Sequence, residues 1–205
     1  MKFIVGKKLN MSQNFKADGA VVPVTAIVAE PMTVTQVKSK ATDGYDAIQV
    51  GYGLTKESKI NKAQKGHAKG LGNFGHYKEF RVADVSTYKV GDRITVANFE
   101  LGEKVRVSGK SKGKGFQGGV KRHGFKGGSR THGQKHSERE PGAIGGGGRA
   151  GGRVVKGMRM AGRMGSDRIT IDNLHIEAVL PDQNVLLLSG AVPGTRGSSL
   201  EIIGK

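Results

Sequence analysis

The chain has 205 residues, 34 lysines and arginines against 17 aspartates and glutamates, and a formal charge of +17 with the histidines neutral. It contains no cysteine, no tryptophan and no run of the roughly 20 apolar residues needed to cross a bilayer as a helix. That excludes a disulfide scaffold, a cysteine nucleophile, a cysteine-ligated zinc site and a helical membrane protein.

At the N-terminus, MKFIVGKKLNMSQNF has a short apolar run, but charge resumes at Lys7 and Lys8 and no small-residue cleavage pattern follows. It is not expected to be a signal peptide. Val21–Ala29 is rich in β-branched residues and predicts a strand, with Pro23 marking an edge or a strand start. Short strands follow at Val34–Lys38, at Tyr45–Val50 after the Asp43-Gly44 turn, and at Phe80–Ala83, Arg93–Ala97 and Lys104–Val107. In the last of these, Val105 and Val107 alternate with Lys104 and Arg106, the period of a half-buried strand. Thr55–Gly70 has a modest helical signal, weakened by Gly66, and its lysines make it a charged surface element. Towards the C-terminus, Arg168–Ile171, His175–Leu180, Val185–Leu188 and Leu200–Ile203 are strands, with Pro181–Asn184 a turn. Many short strands bounded by Gly, Pro, Asn and Asp predict a mainly β protein, a barrel or sandwich.

Charge and glycine are unevenly spread. Residues 1–108 hold 17 basic and 10 acidic residues, residues 109–165 hold 14 and 2, and residues 166–205 hold 3 and 5. The middle stretch also holds 19 of the 34 glycines and no leucine, too little apolar material to offset the entropy of ordering its backbone. The simplest organisation is a single β-barrel domain made of 1–108 and 166–205, with 109–165 inserted between two strands. So long a connection with little secondary structure points to function. A merely solubilising spacer would not need Phe116, Phe125, Ile144, Val154, Val155, Met158, Met160 and Met164. Dense positive charge calls for a polyanion, and the glycines disfavour the amphipathic helix that membrane binding uses, which leaves nucleic acid.

Catalytic signals fail on inspection. SGKSKGKG at 108–115 lacks the glycine a phosphate-binding loop needs at position 104, which is lysine, and no helix-forming sequence follows. GGGGRAGG at 145–152 lacks the flanking strand and helix of a dinucleotide site. His132 and His136 have metal-ligand spacing only on a helix, which Gly133 opposes, so they are expected to donate to phosphate or ribose oxygens or to stack on bases. His175, in a strand-like run, is expected to be structural. No serine has a triad arrangement. No catalytic residue, metal or cofactor is predicted.

The candidate RNA-binding residues are Lys110, Lys112, Lys114, Lys121, Arg122, Lys126, Arg130, Lys135 and Arg139, then Arg149, Arg153, Lys156, Arg159 and Arg163, together with His132 and His136. Each phosphate neutralised releases counterions, giving affinity with little sequence selectivity. Phe116, His123 and Phe125 could stack on bases or fold the loop back on itself. The last four basic residues would align on a helix, but Gly157 and Gly162 argue for an irregular path moulded on RNA.

Several segments resemble, end to end and in order, the bacterial form of the family formed by the third protein of the large ribosomal subunit. They are VGKKLNMSQNF at 5–15, TQVKSKATDGYDAIQVGYG at 35–53, SGKSKGKGFQGGVKRHGF at 108–125, THG at 131–133, PGAIG at 141–145, GRVVKGMRMAGRMG at 152–165 and GAVPG at 190–194. The resemblance implies a translation-factor-like barrel that binds the 3′ part of the large ribosomal RNA early in assembly. It implies that the glycine-rich extension runs towards the peptidyl-transferase centre. The expected partners are that RNA and neighbouring large-subunit proteins in the cytoplasm, with no membrane and no small-molecule substrate. Two departures stand out: some relatives carry tryptophan where this chain has His123, and some carry a methylated glutamine near the position of Gly148 or Arg149, where this chain offers none. The alternatives are an RNA chaperone or barrel-containing translation factor acting off the ribosome, and an enzyme with a barrel core, which the failed motifs disfavour.

Overall fold

The computed structural model describes residues 1–68 and 70–204, with residues 149 and 150 described by their backbone alone. The strands are β1 (Phe3–Phe15), β2 (Val21–Val28), β3 (Met32–Lys38), β4 (Ala47–Leu54), β5 (Phe74–Arg81), β6 (Arg93–Ile94), β7 (Lys104–Lys110), β8 (Phe116–Gln117), β9 (Gly162–Arg163), β10 (Arg168–Leu180), β11 (Val185–Ser189) and β12 (Ser199–Gly204). Six of them close an antiparallel barrel in the order β1-β12-β7-β10-β11-β2. The barrel interior is filled by Ile4, Ile27, Val107, Ile176, Leu186, Leu188, Leu200 and Ile202, all fully buried or nearly so.

Not every predicted strand enters the barrel. β5, β4, β3 and β6 form a separate four-stranded sheet within the same compact unit, which comprises Met1–Lys110 and the chain from Arg168 onward. One hydrophobic core spans barrel and sheet. Phe3 of β1 stacks on Phe80 of β5 with ring centroids 4.4 Å apart, and Met32 and Val34 of β3 are fully buried in the same cluster. Outside the core, Glu201 of β12 holds Lys78 of β5 at 2.7 Å and Arg168 of β10 at 2.6 Å, so one carboxylate ties the sheet to two barrel strands.

The two longest strands depart most from expectation. β1 has 13 residues, but only Phe3–Gly6 are buried. Its outer half buries no side chain and leaves even Met11 and Phe15 exposed, so backbone pairing with β2, not a core face, holds it there as an arm of a hairpin. β10 runs unbroken across Asp172-Asn173, which resemble a turn in the sequence. Asn173 takes φ 62°, and the register against β7 slips between Ile171 and Leu174, the signature of a bulge rather than a break. Pro23 lies inside β2, one residue beyond its last pair with β11. Its carbonyl accepts the Gly190 N–H at 2.7 Å, and its missing N–H faces the side where that ladder has ended. The predicted strand at 93–97 shortens to β6, because a 3-10 turn over Val96–Asn98 tucks Val96 and Phe99 into the core. The helical signal over 55–70 resolves into a 3-10 turn at Glu57–Lys59 and α2 (Lys62–Ala68), after a single turn α1 (Lys40–Asp43).

The outer face of the four-stranded sheet carries a polar network. Lys38 donates to Glu79 at 2.6 Å and to the Tyr45 hydroxyl at 3.0 Å, while Tyr45 and Gln49 also donate to Glu79. The hydrogen bond from Lys38, supported by Tyr45 and Gln49, holds the Glu79 carboxyl below the usual carboxylate range, and Glu79 in turn raises Lys38 above the usual lysine range. A depressed carboxyl stabilises the fold above its unfolded value, near 4.3, and that contribution disappears as pH falls through the lower folded value. Lys38→Met is therefore expected to lower the urea midpoint at neutral pH, with the gap to the unsubstituted chain narrowing as acid protonates Glu79. A gap that stays constant from pH ~7 to pH ~3 would contradict this pairing.

Candidate nucleic-acid interface

Ser111–Asp167 form a second compact unit, built on a different principle from the first. Among the described residues, none of its large apolar side chains is buried; Phe116 is 73% exposed and Val155 61%. Order comes from backbone hydrogen bonds along a stalk of two antiparallel limbs. The Ser111 N–H donates to Asp167 O at 2.9 Å, Lys114 N–H to Met164 O at 2.9 Å, and Met164 N–H back to Gly115 O at 3.0 Å. β8 then pairs with β9, Phe116 opposite Arg163. Gly165 permits this closure: it takes φ 76°, and a Cβ there would overlap the Lys112 carbonyl oxygen.

Beyond the stalk, α3 (Gly119–His123) is a turn and a half of helix closed by Gly124 at φ 73°. From it, Arg122 Nη1 donates to the Met160 carbonyl at 2.8 Å and His123 Nε2 meets the same oxygen at 3.0 Å. Phe125 packs beside His123, ring centroids 5.8 Å apart, and closes over Gly119, where a Cβ would come within 2.9 Å of the ring. Arg122, His123 and Phe125 are thus half-buried and turned inward. Farther out, Gly128 N–H donates to Glu138 O at 3.0 Å and Arg130 pairs loosely with Glu138 at 3.8 Å. Gly127, at φ 76°, sits where a Cβ would overlap that same Glu138 carbonyl.

The remaining candidates face outward. Lys112, Lys114, Phe116, Lys121, Lys126, Arg130, His132, Lys135, His136, Arg139, Arg153, Lys156, Arg159 and Arg163 are exposed. The side chain of Arg149 lies outside the described residues. Lys110, counted with the glycine-rich segment in the sequence, is exposed but is the last residue of β7, paired with Arg168. His132 has φ 58° and lies in no helix, so no helical face brings it together with His136. Among the described residues no group of three His, Asp or Glu could hold a metal ion. No helix joins Arg153, Lys156 and Arg159; the chain passes through turns at Gly151-Gly152 and Lys156-Gly157.

This unit holds 13 basic and 3 acidic residues, with the basic side chains distributed along it rather than gathered in a pocket. Such an arrangement is suited to neutralising an extended polyanion at many points. The inward anchors and outward cations predict different defects. Arg122→Ala should leave the Met160 carbonyl to His123 alone and speed amide exchange in 116–125 and 160–164 by roughly tenfold, the effect of losing about 1–1.5 kcal/mol of local stability. Lys114→Gln should leave exchange unchanged and lower the salt slope of RNA binding by about one. Equal exchange in the two variants would show that Arg122 is not an anchor. Sequence alone could not tell these roles apart, because the anchoring acceptor is a backbone carbonyl.

Comparison with known proteins gives a consistent result. The pattern defining the family described as Ribosomal protein L3 matches residues 71–184. The chain is 49% identical over 201 residues to the large ribosomal subunit protein uL3 of Prochlorococcus marinus (strain MIT 9215), covering 97% of this chain and 92% of that protein. It is 48% identical over 203 residues to its namesake from Carboxydothermus hydrogenoformans, covering 98% and 96%. Against that of Roseiflexus sp. (strain RS-1), the identity is 47% over 194 residues, covering 94% and 92%.

Proposed function

The chain belongs to the ribosomal protein L3 family, and on that premise we propose that it is a structural, non-enzymatic protein of the large ribosomal subunit that binds ribosomal RNA through residues 111–167. The supporting observation is the makeup of that segment: 13 basic residues against 3 acidic ones, and no buried large apolar side chain among those described. A segment of this kind is completed by the polyanion around it. Outward Lys112, Lys114, Lys121, Lys126, Arg130, Lys135, Arg139, Arg153, Lys156, Arg159 and Arg163 contact phosphates, Phe116 stacks on a base or ribose, and His132 and His136 donate to backbone oxygens. Arg122, His123 and Phe125 shape the segment that carries them. In the finer reading, the barrel is of the translation-factor kind and binds the 3′ part of the large ribosomal RNA early in assembly. The glycine-rich segment enters that RNA towards the peptidyl-transferase centre. Its other partners are neighbouring large-subunit proteins in the cytoplasm, with no cofactor, membrane surface or small-molecule substrate.

The test is where the protein resides. A tagged copy expressed in a bacterial host should sediment with the large subunit and stay there through a high-salt wash. A copy found only in ribosome-free fractions, bound to many RNAs, would favour the chaperone reading.

A further inference from the structure

The 19-residue connection between β4 and β5, residues 55–73, carries a second concentration of cations on the other unit of the chain. Lys56, Lys59, Lys62 and Lys65 recur at intervals of three and are all exposed. The single acid in the connection, Glu57, is committed to Lys65 at 2.7 Å. Among the described residues, no ion pair engages Lys56, Lys59 or Lys62. The first turn of α2 contains no acid to offset them.

This row sits on an ordered backbone. Lys59 and Ile60 N–H close a 3-10 turn onto Lys56 and Glu57 carbonyls at 3.0 and 3.1 Å. Asn61 and Gln64 then cap α2 reciprocally: Gln64 N–H donates to Asn61 Oδ1 at 2.8 Å and Asn61 N–H to Gln64 Oε1 at 3.2 Å. At the far end Ala68 is buried, the His67 ring meets Tyr77 of β5 edge-on at 5.5 Å, and His67 also hydrogen-bonds the Gln49 side chain of β4. The element is thus pinned to the four-stranded sheet at one end and cross-linked by Lys65–Glu57 in its middle. Positive charge concentrated on an element already ordered repels itself in the free protein and loses little backbone entropy on binding an anion.

We infer that Lys56, Lys59 and Lys62 form a second RNA-backbone contact, on the β4–β5 connection and separate from the 111–167 segment. Lysines act here as point charges on phosphate oxygens, which positions the first unit on RNA without reading sequence. A membrane surface fits poorly, because Ile60 is only half exposed and Ala63 is small, so the element presents no apolar face to insert. The choice of RNA as the anion rests on the ribosomal reading above.

The test uses full-length protein and a transcript of the 3′ part of the large ribosomal RNA. One variant combines Lys56→Gln, Lys59→Gln and Lys62→Gln. The control combines Lys40→Gln, Lys89→Gln and Lys104→Gln, which removes the same charge from exposed lysines elsewhere in the same unit. The first should bind roughly tenfold more weakly at about 0.1 M salt and lose about 2–3 from its salt slope, the control less than about threefold. Equal losses in the two variants would mean that net charge alone matters and would overturn the second contact. Unchanged RNA binding, with lost binding to polyglutamate, would reassign the row to an acidic protein segment and also overturn it. Because the chain lacks cysteine, Ser58→Cys can carry a tethered hydroxyl-radical source. Cleavage should concentrate at a few nucleotides distinct from those cut from a probe at Ser129→Cys. If the unsubstituted chain shows no preference for the ribosomal transcript, the ribosomal reading fails first. If it does and the two variants behave alike, only the second contact fails.

Discussion

Replacing Ser111–Asp167 with a two-residue Asn-Gly turn is expected to leave the first unit folded while removing most of the RNA affinity. Lys110 and Arg168 are register partners in the β7–β10 ladder, as are Gly109 and Ile169 just inside them, so a tight hairpin turn can join the strand ends without moving either strand. Among the described residues, every large buried apolar side chain lies outside the removed segment. The variant should therefore retain its β-type circular dichroism and a cooperative urea transition. It also loses 13 of the 34 basic residues and a net +10 of the +17 charge. If six or more of those cations meet phosphates, affinity at about 0.1 M salt should fall by at least ~100-fold and the salt slope should flatten by several units. A variant that is wholly unfolded would show that 111–167 contributes to the core.

The largest loss of stability is expected from Ile202→Ala. Ile202 is fully buried at the centre of β12, opposite Ile4 of β1 on one side and Val107 of β7 on the other. Truncation removes buried methyl groups and leaves a cavity that a closed barrel cannot collapse around, a change that typically costs about 2–5 kcal/mol. For a chain of this size that lowers the melting temperature by roughly 5–15 °C in calorimetry. The salt slope of RNA binding, measured well below the transition, should be unchanged because no cation is touched. An unaltered melting temperature would mean that the barrel interior is not close-packed at this layer.

Strand positions were readable from the sequence where one face is buried and the other wet, as at Val105–Val107, or where the run is wholly apolar, as at Val185–Leu188. They were not readable where backbone pairing does the ordering. The outer half of β1 leaves its apolar Met11 and Phe15 exposed and buries nothing, and β10 hides a bulge behind Asp172-Asn173. β5 begins six residues before its predicted start at Phe80 because His76, Lys78 and Glu79 mask the pattern. The division of the β elements into a barrel and a flanking sheet depends on which strands pair, and no local pattern encodes that. The cationic character of 111–167 followed from composition alone. What composition could not give was direction: Phe116 and Phe125 look alike in the sequence, yet one is exposed and the other closes over Gly119. The row at Lys56–Lys65 was visible only as a charged helix. Its significance depends on the Asn61–Gln64 cap and the His67 anchor, which are tertiary facts.

The most direct test of the account is the binding preference of the intact chain for the 3′ part of the large ribosomal RNA over an unrelated structured RNA of equal length, titrated with salt. Counterion release weakens both complexes as salt rises, but on the proposed reading shape-specific entry of 111–167 into its cognate RNA would add contacts that the unrelated RNA cannot supply. A preference that persists at high salt, and that the Asn-Gly replacement abolishes, is the predicted result. Equal affinity for the two RNAs at every salt concentration would contradict it and leave a generic polyanion binder.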